Sequence, residues 1–208
     1  TRGANLTETT IVLGIIGILL GGIWAMIGDM RNSVKQQKFA ELLTTVVDNI
    51  RGNYTGKAFF ETTQISTGGG VTGMMPRLKD MNVFPGEMVQ TGVDGIASPF
   101  GANTFFVCGW RSTGSTACNL AAGGTSNVPF FAIETRFANT GDCVQAVSRN
   151  SNPRTQPGLV DVYINGTGRV SAIPSLSLPW PPLASLTLAA CARVAKPVTV
   201  DFVYRLTP

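Results

Sequence analysis

Histidine is absent from the sequence, and that absence removes much of the chemistry a chain of this size can do. A Ser-His-Asp triad, a Cys-His pair and an imidazole zinc site all need the ring. The 12 acidic residues include no close DxD or ExxE pair. Carboxylate or lysine catalysis therefore has no visible constellation, and the chain reads as a non-enzyme without cofactor or metal. The triplet Gly68-Gly69-Gly70 is a flexible loop. A phosphate cradle would need a preceding strand, a following helix and a lysine. Sixteen basic residues against 12 acidic give a net charge of +4. The basic residues do not cluster outside positions 31–38, so no specific nucleic-acid site is read.

Four cysteines remain: Cys108, Cys118, Cys143 and Cys191. None form CxxC, which argues against a redox motif or a zinc ribbon. An even count suits disulfides in an oxidising compartment; buried free thiols are the bland alternative. Spacing alone leaves all three pairings open.

The elements that must hold these residues come next. Charged residues are 13% of 208, about half the usual share. Glycine and proline together make 36 positions, loop-rich but below the composition of a disordered chain. Apolar content of 44% supplies a core. The length fits one domain with an appendage.

The appendage is at the start. Thr9–Gly28 runs 20 residues without a charge, and as a helix it would rise about 30 Å, the depth of a bilayer's hydrocarbon. A cleaved signal would be shorter, with basic residues before it. After it, Phe39, Leu42, Leu43, Val46, Val47 and Ile50 fall on one helical face. Asp29, Arg31, Lys35, Lys38, Glu41, Asp48 and Arg51 lie mostly off that stripe. No proline precedes Pro76, so one helix is predicted from Leu6 to Arg51, ended by Gly52, Asn53 and Gly56. Glu8 opens the apolar run. It is either an interfacial residue favoured by the helix dipole or a charge that needs a cationic partner when chains pack.

Farther on, Pro76–Met81 reads as a helical turn closed by Pro85-Gly86. Strands are predicted at Thr104–Trp110, Val128–Arg136, Leu159–Asn165, Gly168–Ile173 and Val198–Leu206, with a hairpin signal at Asn165–Gly168. The last strand alternates Val200, Phe202 and Tyr204 with Asp201, Val203 and Arg205, as a strand with one buried face does. Thr140 is placed as the cap of a short helix over 140–150. Pro174–Pro182 is a stiff loop, with Trp180 as a possible surface contact; Trp110 reads as core. The fold class is α+β: a long N-terminal hydrophobic helix packed on an antiparallel sheet. Residues 1–54 form the stalk helix, with a membrane or filament core at 9–28 and an amphipathic half at 29–51. Residues 55–208 form the head.

Gly3, Glu8 and the run to Gly28, with IVLGIIG inside it, resemble the N-terminal signature of type IV pilins. The run is particularly similar to the type IVb branch, the thin-pilus and toxin-coregulated types. Ser98-Pro99-Phe100-Gly101 resembles a turn common in pilin heads, and Cys143 on a helix with Cys191 before the last strand resembles the type IVb arrangement. The resemblance implies a pilin that waits in the bacterial inner membrane and polymerises into an extracellular pilus used in attachment, aggregation or conjugation. It implies a prepilin peptidase cutting after Gly3, so that Ala4 leads the mature chain, or cutting upstream of Thr1. An assembly ATPase, a platform protein and methylation are implied with it. It pairs Glu8 with a neighbour's N-terminal amine, at Thr1 or Ala4. It pairs Cys143 with Cys191; Cys108 and Cys118 then close the Gly/Ser-rich loop between them. Related pilins carry a proline partway down the helix. This chain has Gly17, Gly21 and Gly22 instead, and the helix is expected to loosen between Gly17 and Trp24 in the fibre. Two other readings compete: a pseudopilin of a type II secretion system, and a single-pass membrane protein with a periplasmic binding domain.

Overall fold

A computed structural model describes residues 6–57, 74–90, 95–110, 130–152, 156–166, 176–177, 184–193 and 197–206. Side chains are described for these except at 6–8, 25–29, 74, 110, 165–166, 176–177, 184–186 and 193. The chain divides into two compact units, Thr1–Gln37 and Lys38–Pro208.

Helix α1 (Leu6–Asn53) begins in the first unit and ends in the second. It starts where predicted and runs two residues past Arg51. The Thr55 hydroxyl donates to the carbonyls of Arg51 and Gly52, and Gly56 takes φ +79°, a left-handed conformation that only glycine adopts cheaply.

In the second unit the predicted stripe forms one wall of the core. Phe39, Leu43, Val46 and Ile50 are fully buried, and Leu42 and Val47 nearly so. They share one apolar cluster with Phe105, Val107, Ile133, Phe137, Val200 and Phe202 of the sheet. Phe39 sits at the centre of an aromatic group, with ring centroids 5.1 Å from Phe100, 6.5 Å from Phe105 and 6.0 Å from both Phe137 and Phe202. Tilted and edge-on contacts of this kind each add about 0.5–1.5 kcal/mol beyond burial.

Among the described residues the sheet has six strands, all antiparallel: β1 (Ile96–Ser98), β2 (Gly101–Trp110), β3 (Phe130–Phe137), β4 (Leu159–Gly166), β5 (Leu176–Ser177) and β6 (Val198–Arg205). Their order is β1-β2-β3-β6-β4-β5, so the last strand in sequence is inserted between β3 and β4. That position corrects the one-faced reading of β6. Thr199, Asp201 and Val203 are buried as well as Val200, Phe202 and Tyr204. Flanked on both sides, β6 gives its second face to a small cluster of Cys108, Ala132 and Val203. Beside that cluster the Arg136 guanidinium covers the Phe106 ring at 4.3 Å and donates to Glu134 at 2.9 Å.

Four further elements differ from expectation. Helix α3 (Thr140–Asn150) is capped by Asn139, not Thr140. Asn139 holds extended φ/ψ, and its side-chain oxygen accepts from the Asp142 amide at 2.8 Å. Helix α4 (Ala184–Arg193) lies where no element was predicted. Its Ala- and Leu-rich sequence is strong helix former, and it carries Cys191. The stretch 174–182, read as loop, contains β5 against Tyr163 and Ile164. Helix α2 (Met74–Asp80) lies two residues earlier than predicted, with Pro76 in its first turn. The expected strand Gly168–Ile173 lies outside the described residues.

Candidate functional site

Between Thr9 and Trp24 α1 has no apolar stripe; it is apolar on every side. From Thr9 to Trp24 each residue is exposed, with Ile18 at 77% and Trp24 at 72%. Ten large hydrophobic side chains between Ile11 and Trp24 are open to solvent in the single chain. A surface of this kind on a soluble monomer marks an interaction surface. Among the described residues no helix is long and apolar enough to cross a membrane.

Four glycines interrupt this greasy surface. A β-carbon added at Gly14, Gly17, Gly21 or Gly22 would meet nothing within 4 Å. Each glycine costs a helix about 1 kcal/mol relative to alanine. Among the described residues nothing packs against these positions to return that cost.

The second unit holds its end of α1 by polar ties that the sequence did not reveal. Arg51 Nη2 donates to the Arg205 carbonyl at 3.0 Å, joining the helix end to the end of β6. The Asn49 amide donates to the Val83 carbonyl at 2.9 Å. The buried Tyr204 hydroxyl donates to Gln156 Oε1 at 3.2 Å. Burial pushes the Tyr204 phenol well above its ordinary pKa, against the pull of Arg51. Tyr163 is pushed up to about 12 by burial first, then by its hydrogen bond to Asp161. A disulfide joins Cys143 of α3 to Cys191 of α4, with Cα atoms 6.0 Å apart. It ties helix to helix, not helix to terminal strand as the sequence suggested.

No family model and no curated protein matches the sequence. The fold does match a solved structure. It superposes on TcpA, a type IV pilin from Vibrio cholerae El Tor biotype, with a TM-score of 0.50. The match covers 81% of this chain and 98% of that one at 12% identity. The chain has the type IV pilin fold.

Against that pilin fold, the residues singled out in the sequence fall into two groups. Cys143 and Cys191 are joined, and Cys108 is disulfide-bonded, 3% exposed on β2. Glu8, Gly17, Gly21 and Gly22 all lie within α1, which is continuous through the glycines in the single chain. The Glu8 side chain, and Thr1, Gly3, Ala4, Gly68, Cys118 and Trp180, lie outside the described residues. Trp110 pairs its backbone with Phe130; its side chain is not described. Among the described residues no group of three or more cysteines and carboxylates is placed to hold a metal ion.

Proposed function

We propose that the chain is a structural subunit that polymerises through its N-terminal helix into a type IV pilus on the bacterial surface. One observation carries this reading: a helix stretch from Thr9 to Trp24 that is apolar on all sides and exposed, with glycines that nothing among the described residues contacts. Its attachment to a head of pilin fold supports the same reading.

Before assembly the run Thr9–Gly28 would sit in the inner membrane, where the backbone hydrogen bonds of a helix hold because lipid offers no substitute. In the filament, identical stalks would cover one another, each square ångström of apolar surface removed from water contributing about 25 cal/mol. A head-to-tail contact between identical subunits that does not close on itself gives an open fibre. Glu8, third residue of α1, gains from the helix dipole. In the stalk bundle its charge would be met by the N-terminal amine of a neighbour, Thr1 or Ala4 according to where processing occurs. Prepilin peptidase, assembly ATPase and platform protein are the implied partners. The type IVb branch, and use in attachment, aggregation or conjugation, belong to the same proposal.

The test is to shear cells that express the chain and inspect the released protein by electron microscopy. Thin filaments containing this subunit are expected. A pseudopilin or a single-pass binding protein would stay with the cell envelope.

A further inference from the structure

Past its apolar stretch α1 changes character without losing its exposure. The uncharged run of the sequence ends at Gly28. Beyond it Met30 is 69% exposed and Val34 43%, and their neighbours Arg31 and Lys35 are exposed as well. All four belong to the first unit. Spacings of seven and four residues place Trp24, Arg31 and Lys35 within about 40° of one another round the helix. Trp24 is itself 72% exposed. Among the described residues neither Arg31 nor Lys35 forms an ion pair. Asp29, the nearest acid in sequence, falls by its position on the far side of the helix. One strip of α1 thus carries an indole and two exposed cations with apolar neighbours, set at the end of a run as long as a bilayer's hydrocarbon is deep.

We infer that this strip binds the headgroups of anionic phospholipid, an inference that rests on the membrane stage of the reading above. Depth is the first argument. With Thr9–Gly28 across the hydrocarbon, Trp24 stands about one turn inside its end, Arg31 about 4.5 Å beyond it and Lys35 about 10 Å beyond it. The polar layer on that side is about 5–7 Å deep. Side chains on a helix lean toward its N-terminus, here toward the bilayer, so the long stems of Arg31 and Lys35 carry their charges back into that layer. Tryptophan concentrates at the same boundary. The company the cations keep is the second argument. Exposed Met30 and Val34 beside them meet the glycerol and upper acyl region of a lipid, whereas a free phosphate or a nucleic acid would leave them in water. Charge is the third. Each basic residue near an anionic surface strengthens binding roughly fivefold, and a zwitterionic surface offers no such gain. The planar fork of Arg31 also matches two oxygens of one phosphate.

The experiment reconstitutes the full-length chain into phosphatidylcholine vesicles and compares its association with spin-labelled phosphatidylglycerol and spin-labelled phosphatidylcholine. A preference for phosphatidylglycerol of at least about fivefold is expected, weakening as salt is added. Arg31→Gln with Lys35→Gln should abolish the preference, and Arg31→Lys with Lys35→Arg should keep it, with the melting temperature of the head unchanged in both. Equal association of the two lipids with the wild-type chain would overturn this inference alone. Displacement of the labelled lipid by inorganic phosphate would do the same, by showing a simple anion site. So would a preference that survives Arg31→Gln with Lys35→Gln while filament yield falls, which would give the two cations to a neighbouring copy of the chain. A wild-type chain that does not enter the vesicles at all would overturn the membrane stage and this inference with it.

Discussion

The guanidinium of Arg51 closes the last full turn of α1 onto the carbonyl of Arg205 at 3.0 Å, and the α-carbon of Gly158 lies directly against it. Gly158 holds φ +73°, and its carbonyl accepts from the Arg205 amide at 2.9 Å. Three distant stretches of sequence thus meet at one point. A methyl group at 158 would collide with the Arg51 guanidinium and strain the backbone. A left-handed residue costs about 1–2 kcal/mol and a lost hydrogen bond about 1 more. Gly158→Ala is expected to lower stability by roughly 2–3 kcal/mol in urea unfolding. Gly52→Ala, in the same helix end, meets nothing within 4 Å and is expected to stabilise or leave stability unchanged. Equal effects of the two would refute the account of this junction.

Tyr204 predicts how the protein responds to alkali. Its phenol titrates higher in the folded state than the ordinary value near 10, chiefly because it is buried. The folded state therefore holds the proton more tightly than the unfolded state. The resulting stability is fully present below pH about 10 and is lost as pH rises past it. Tyr163, raised for the same leading reason, acts in the same direction. Tyr204→Phe should lose the Gln156 hydrogen bond at neutral pH yet show a shallower decline between neutral and strongly alkaline solution. Parallel pH profiles for the two proteins would contradict the assignment.

The Cys143–Cys191 bridge spans 48 residues. Chain entropy assigns such a loop about 4 kcal/mol. The Cys143→Ser, Cys191→Ser double variant is expected to lose stability of that order, with α4 the first element to exchange its amide hydrogens. Non-reducing peptide mapping should recover this pair and, as the second bridge, Cys108 with Cys118. Any other pairing would count against both assignments.

Glu8 is expected to act in assembly and not in folding. Glu8→Ala should leave thermal unfolding unchanged and cut filament yield, because the neighbour's terminal amine would then be buried unpaired. Normal yield from that variant would remove the proposed charge pair.

The glycines of α1 carry a prediction about conformation. In the single chain the helix is continuous through Gly17, Gly21 and Gly22. Packed among other stalks, the segment from Gly17 to Trp24 is expected to become extended or irregular, with helix on both sides. Gly21→Ala with Gly22→Ala should strengthen the helix by about 2 kcal/mol and impair assembly. Unbroken i to i+4 hydrogen bonds through Gly21 and Gly22 in the fibre would show that they serve close packing instead.

Period alone made the inward stripe from Phe39 to Ile50 legible, because a helix places those positions on one side whatever it packs against. Strand β6 was found by its alternation, but its second buried face was not. Burial of Asp201 and Val203 depends on β3 and β4 arriving on either side, and that is set by topology. Asn139 and Thr140 are both good caps; only the extended backbone at Asn139 decides between them. Helix α4 carries a readable signal in its alanines and leucines. The glycine pattern and Glu8 were visible as local sequence.

The central claim is that identical stalks cover one another. A reconstruction of filaments sheared from cells expressing the chain tests it most directly. Residues 9–24 of neighbouring copies are expected to pack against each other along the filament axis, with the heads outside. A filament held together by head contacts alone, with those residues still open to solvent, would contradict it.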